Sequence, residues 1–204
     1  MLREFIELWF PPECARCARP GPSPCGTCLD DLQPADPFAV PRGLDSAAAL
    51  LRYDDASRPF IASMKYRGRH TVAVDFARPL AVLVDEIVLG ATAPVCTWAP
   101  TTRRRQRERG FDQAEMLARA VGREARLPVR RLLRRIGGVH QTGRDRRGRL
   151  AGIGFEPVGR VPPVVLVCDD VLTTGTTLTA AAGVLRSAGA REVHALALAR
   201  TPLW

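Results

Sequence analysis

From residue 47 onward the chain switches repeatedly between two hydrophobic rhythms. Short apolar runs bounded by turn residues predict strands over residues 47–53, 94–100, 164–169 and 192–199. Between them, apolar residues recur every three or four positions, the period of a helix with one buried face. That period predicts helices over residues 57–66, 71–89, 111–126 and 176–188. In the second, Val72, Phe76, Leu80, Leu83 and Ile87 share a face; in the third, Ala114, Leu117, Ala118, Val121 and Ala125 do. Residues 130–136 predict an edge strand with an arginine-rich outer face. Strands alternating with helices predict an α/β fold, a doubly wound parallel sheet with helices on both faces.

Residues 1–46 lack this rhythm. Leu2, Phe5, Ile6 and Trp9 predict one or two helical turns that dock on something larger. The stretch that follows is proline-rich, carries four of the six cysteines, and has too few apolar residues for a core of its own. The expected organisation is an N-terminal helix and cysteine module over residues 1–46 and an α/β domain over 47–204. Residues 140–157, with Gly143, Gly148, Gly152 and Gly154, predict a mobile loop. No apolar stretch approaches the roughly 18 residues of a membrane span. The N-terminus is too short and too charged for a signal peptide, so a cytoplasmic location is expected.

The cysteines give the first candidate chemistry. Cys14-x2-Cys17 and Cys25-x2-Cys28 are two thiol knuckles separated by seven residues. Zinc takes four thiolates at a tetrahedral centre, and each knuckle offers two from one side. Two disulfides or four free thiols are the alternatives. A reducing compartment disfavours the first, and a coreless segment needs a staple. Four thiolates leave no open position, so the expected Zn2+ is structural. Cys96 and Cys168, inside apolar runs, are expected to be small core residues.

A composition of 46% hydrophobic and 25% charged residues excludes a disordered, collagenous or coiled-coil chain. The net charge of +9 leaves open a nucleic acid or a polyphosphate as partner. It is regional: residues 103–149 hold sixteen arginines against five acidic residues. A pyrophosphate uses only a few of these, which leaves room for a groove that tracks single-stranded DNA. Lys65 is the only lysine. Either it survives by chance in an arginine-biased sequence, or its position requires a compact ammonium in place of a planar guanidinium.

The most informative stretch is Val164-Val-Leu-Val-Cys-Asp169-Asp170-Val-Leu-Thr173-Thr174-Gly175-Thr176-Thr177. Two carboxylates end a buried strand, where ligands bind in open α/β sheets. The threonine–glycine turn then opens a helix whose N–H groups converge on an anion. Asp169 and Asp170 suit the vicinal hydroxyls of a sugar or Mg2+. Together the two halves predict a ribose 5-phosphate site.

This stretch resembles the type I phosphoribosyltransferases, whose signature for phosphoribosyl pyrophosphate is a hydrophobic strand, two acids and TTG-T. A second segment, Trp98-Ala-Pro-Thr101-x-Arg103-x-Arg-x-Arg-x-x-Arg109-Gly110-Phe111-Asp112-Gln113-Ala114, resembles that of the ComF family of competence-associated proteins. That family also carries a four-cysteine N-terminal module. Asp112 stands where the family usually has Asn, and Arg149 where an Asn is common. The resemblance implies a truncated doubly wound phosphoribosyltransferase core. It places a 5-phosphate on Thr173, Thr174, Gly175, Thr176 and Thr177, and ribose and Mg2+ at Asp169 and Asp170. Pyrophosphate would lie along Thr101, Arg103 and Arg109, with Lys65 near. Gln141 and Arg146 would act from a loop closing over the site. It further implies a role in DNA uptake, with a DNA-uptake helicase as partner. An active transferase and a non-catalytic single-stranded DNA binder are the two alternatives.

Overall fold

The computed structural model describes residues 13–66, 70–88, 90, 92–136 and 154–202. In chain order the elements are α1 (Gly26–Asp30), β1 (Ser46–Arg52), α2 (Arg58–Tyr66), α3 (His70–Asp75), α4 (Ala77–Ile87) and β2 (Val95–Trp98). Then follow α5 (Arg103–Arg109), α6 (Gln113–Glu124), β3 (Leu133–Ile136), β4 (Gly154–Pro157), β5 (Val164–Leu172), α7 (Thr176–Ser187) and β6 (Glu192–Arg200). The expected helix at residues 2–9 lies outside the described residues.

Four strands form one parallel sheet in the order β1-β6-β5-β2. The central strands β5 and β6 are apolar on both sides because both faces are covered. Alternation sorts their side chains. Leu166, Cys168, Leu196 and Leu198 pack with α2, α3, α4 and α6, through Phe60, Met64, Leu80 and Leu117 among others. Val165, Val167, Ala195 and Ala197 pack with α7 through Leu178, Ala181, Ala182 and Leu185. The sheet is thus wound on both faces, as the sequence predicts. Cys96 and Cys168 are both fully buried, with their sulfurs 3.6 Å apart. His194 is also internal, its Nδ1 2.7 Å from Ser46 Oγ.

Several expectations are corrected. The expected helix over 71–89 is two, α3 and α4, with a turn at Phe76. Pro79 is the reason: it cannot donate to the carbonyl of Asp75, and its ring crowds that carbonyl. The helix expected over 111–126 starts later, at Gln113. Residues 154–157, expected in a mobile loop, form β4, paired antiparallel with β3 in a separate two-stranded ladder. The edge strand expected over 130–136 is therefore not continuous with the main sheet. Val129 bridges to β2, through Cys96 N–H to Pro128 O (2.9 Å) and Arg130 N–H to Cys96 O (2.9 Å), and the Leu132 N–H donates to the Thr97 side chain (3.2 Å). β5 runs past Asp169 to Leu172, so both acids are strand residues.

The cysteine segment leans on the α/β core. Cys14 and Cys28 are buried in the same cluster as Phe60 and Met64. Beyond α1 the chain runs along β1, where Arg52 N–H donates to Gln33 O (2.9 Å) and Ala35 N–H to Leu50 O (3.1 Å). This covers an edge that would otherwise expose its backbone groups. Among the described residues, no helix is long and apolar enough to cross a membrane.

Candidate functional site

A polar cleft of about 270 Å3 opens at the carboxyl ends of β2 and β5. Its acidic floor follows from strand alternation. Asp170 shares the phase of Leu166 and Cys168 and so faces α2, where Lys65 Nζ lies 2.9 Å from its Oδ2. Asp169 has the opposite phase. Its Oδ1 accepts the Asp170 N–H (2.8 Å), and Asp170 Oδ1 accepts the Val171 N–H (2.9 Å). Burial, then the neighbouring Asp170 carboxylate, hold the Asp169 pKa well above the usual carboxylate value, against the opposing pull of Lys65.

The turn after β5 forms one side. Thr173 and Thr177 line the cleft, while Thr174 and Thr176 bond each other through their hydroxyls (2.8 Å). Gly175 is the N-cap of α7 with φ 74° and has no side chain to offer the helix, while the Thr176 N–H donates to Thr174 Oγ1 (3.5 Å). A Cβ there would lie 2.9 Å from both Cβ and Cγ of Pro41. The residue is glycine for its left-handed backbone and for this close approach. What results is a twelve-residue helix whose N-terminus opens beside two carboxylates.

Cations form the other side. An unforeseen helix, α5, starts at Thr102, whose Oγ1 accepts the Arg105 N–H (3.2 Å), and stops at Gly110 in a left-handed cap, φ 80°. Its arginine run has no apolar period, so periodicity could not reveal it. Thr101, Arg105 and Arg109 line the cleft, and Arg109 Nη1 donates to Gln113 Oε1 (3.1 Å). Arg103 is exposed and is not part of the lining, because a helix turns it away from the Arg105 and Arg109 face. Asp112 clamps the base of this segment. It is 5% exposed, accepts N–H groups from Thr101 (2.8 Å), Ala114 (3.1 Å) and Glu115 (3.4 Å), and burial nonetheless raises its pKa.

Sequence reasoning did not single out Arg105 and Arg135 as site residues. Arg135 reaches the cleft from β3, lies over the Phe155 ring (5.6 Å) and has its pKa lowered, first by burial and then by Arg105. The available signal was its phase: it shares a strand face with the buried Leu133. Gln141 and Arg146 lie outside the described residues.

Away from the cleft, the sulfurs of Cys14, Cys17, Cys25 and Cys28 all lie within 4.8 Å of one another, with Cys17 and Cys25 at 3.5 Å. Four thiolates around one zinc at about 2.3 Å stand roughly 3.8 Å apart, so the cluster fits. Burial raises the Cys28 thiol to about 12, with the neighbouring cysteines contributing. Burial pushes Cys14 up too, but backbone N–H groups of Cys17, Cys25 and Arg16 outweigh it and bring the thiol to about 6. The residues suited to Mg2+ are Asp169 and Asp170, hard oxygen donors side by side, one with a buried oxygen that no hydrogen bond satisfies among the described residues and that faces the Lys65 ammonium.

The family described as phosphoribosyl transferase domain matches residues 163–202, which span β5, the threonine turn, α7 and β6. Over those residues the chain is similar to that family. Among solved structures, the chain is similar to an allosteric regulatory enzyme of purine biosynthesis, with a TM-score of 0.44 and 21% identity over 67% of this chain and 30% of that one. It is also similar to a Trypanosoma cruzi hypoxanthine phosphoribosyl transferase, with a TM-score of 0.39 and 15% identity over 64% of each chain. The chain therefore spans less than two thirds of either structure. No curated protein matches.

Proposed function

We propose that this chain binds phosphoribosyl pyrophosphate, or another ribose 5-phosphate, together with Mg2+ in the cleft at the ends of β2 and β5. The observation that carries this reading is the adjacency of the Asp169–Asp170 floor to a helix N-terminus opened by Gly175. The 5-phosphate takes the Thr173 to Thr177 turn, where backbone N–H groups and the α7 dipole favour an anion. The ribose hydroxyls donate to the carboxylates. The pyrophosphate lies toward Thr101, Arg105, Arg109 and Arg135. Bound Mg2+ neutralises phosphate charge there.

If a nucleophile attacks the anomeric carbon, the bond from that carbon to the pyrophosphate oxygen breaks and pyrophosphate leaves with the electron pair. The guanidinium groups of Arg105 and Arg109 stabilise the charge it takes away. Calorimetry tests the binding step. Phosphoribosyl pyrophosphate with Mg2+ is expected to bind the wild type and to lose binding when Asp169→Ala and Asp170→Ala are combined. A wild type that does not bind overturns the reading.

The ComF resemblance supports a second layer, a role in DNA uptake with contact to single-stranded DNA. The favouring observation is α5, where Arg103, Arg104 and Arg107 are exposed and only Glu108 and its ion pair with Arg104 interrupt the positive surface. The four-cysteine cluster takes structural Zn2+ in this reading, and a DNA-uptake helicase remains the partner class that the resemblance implies.

A further inference from the structure

Lys65 stands out twice, by composition and by place. Every other basic residue among the 30 lysines and arginines is Arg, yet this position is Lys. It lies in the last turn of α2, whose Phe60, Ile61 and Met64 are wholly buried and fix the helix against the sheet. From there Nζ reaches 2.9 Å from Asp170 Oδ2. That oxygen is buried and has no hydrogen-bond partner among the described residues, so the ammonium is its compensation. The other Asp170 oxygen and one Asp169 oxygen are held by backbone N–H groups. What faces the cleft is therefore an acidic pair with one cation already seated on it.

Building on the reading that the cleft takes a phosphorylated ribose with Mg2+, we propose that Lys65 is the resident counter-ion of the Asp169–Asp170 pair. It holds the divalent-cation position in the free protein and yields it only to a cation that arrives with a polyphosphate. Three considerations lead there. A compact ammonium satisfies one buried oxygen in the space a small cation would use, whereas a planar guanidinium demands a wider fork. The cleft also carries Arg105, Arg109 and Arg135, so four cations face two carboxylates and a free divalent ion is repelled. A polyphosphate reverses that balance, since it engages the arginines and brings negative charge for the incoming ion. Lys65 thus couples cation entry to ligand entry, and the site stays closed to metal alone.

The test uses the full chain with its zinc site loaded, and Mn2+ as the probe, its free form counted by electron paramagnetic resonance. Without phosphoribosyl pyrophosphate the wild type is expected to bind Mn2+ weakly. Lys65→Met is expected to bind it at least tenfold more tightly, a gain that Asp170→Asn removes in the double variant. Unchanged or weaker Mn2+ binding by folded Lys65→Met overturns the proposal. The wild type supplies a readout independent of any variant's folding, because it has only one lysine. Mn2+ added together with phosphoribosyl pyrophosphate frees the ammonium, so acetylation of Lys65 by acetic anhydride, followed by mass spectrometry, is expected to accelerate severalfold over the rate with Mn2+ alone; an unchanged rate also overturns it. Calorimetry with phosphoribosyl pyrophosphate separates the two failures. If the wild type does not bind that ligand, the site reading fails; if it binds but Mn2+ affinity ignores Lys65, only the counter-ion role fails.

Discussion

Gly175 and Asp112 hold the two sides of the cleft by different means. Gly175 combines a left-handed backbone with contact to Pro41, so Gly175→Ala forces a strained φ against a proline that cannot retreat without moving its own loop. A loss of about 1–3 kcal/mol in urea unfolding is expected, together with weaker ligand binding as the α7 N-terminus shifts. Asp112 accepts three backbone N–H groups, yet burial still raises its pKa. A carboxyl whose folded pKa exceeds its unfolded value contributes stability that is present at low pH and lost as pH rises through the folded pKa. Urea unfolding across a pH series is therefore expected to show the wild type losing stability relative to Asp112→Asn from about pH 4 upward. An invariant difference between the two would contradict the burial effect.

At the level of elements, the cysteine segment behaves as part of the core. Cys14 and Cys28 belong to the cluster that packs α2, α3 and α6 on the sheet, and the chain after α1 seals the β1 edge. Removing the metal should disturb the helices below as well as the knuckles. Chelation, or Cys28→Ser, is expected to release one zinc per chain in a colorimetric assay and to lower Tm by on the order of 10 °C. A metal-free preparation with unchanged Tm would exclude a structural zinc. The same scale explains α5. Its boundaries come from the Thr102 cap and the Gly110 stop, and its division of arginines between cleft and solvent comes from the helical turn. The proposed roles of polyphosphate binding and nucleic-acid binding can thus be separated by mutation on one short element.

For the whole molecule, the regional charge is the property to test. Arg103, Arg104 and Arg107 are exposed on α5 and lie outside the cleft lining, so replacing them with Ala leaves the sugar-phosphate side chains in place. Single-stranded DNA binding is expected to weaken steeply with salt in the wild type. The triple variant should show a log–log slope shallower by about 2, since each neutralised phosphate contributes about 0.7. Equal slopes would remove α5 from any DNA surface, while phosphoribosyl pyrophosphate binding should persist in both proteins.

The sequence alone determined whatever depends on local pattern. The apolar runs of β5 and β6, the acid pair followed by the threonine turn, and the knuckle spacing of the four cysteines were legible because each is written in consecutive residues. The division of the long helix was written there too, in Pro79, but the strong apolar period over 71–89 concealed it. Only the tertiary structure decided which distant groups meet. Lys65 reaches Asp170 because α2 packs on the face that strand phase gives to Asp170. Arg135 enters the cleft because a separate two-stranded ladder turns it inward, and Arg103 leaves it because a helix with no apolar period turns it out. A charge has no period of its own, so its direction is set by the packing of its apolar neighbours. The opening net charge of +9 could therefore be counted from the sequence, but its separation into cleft and surface required the fold.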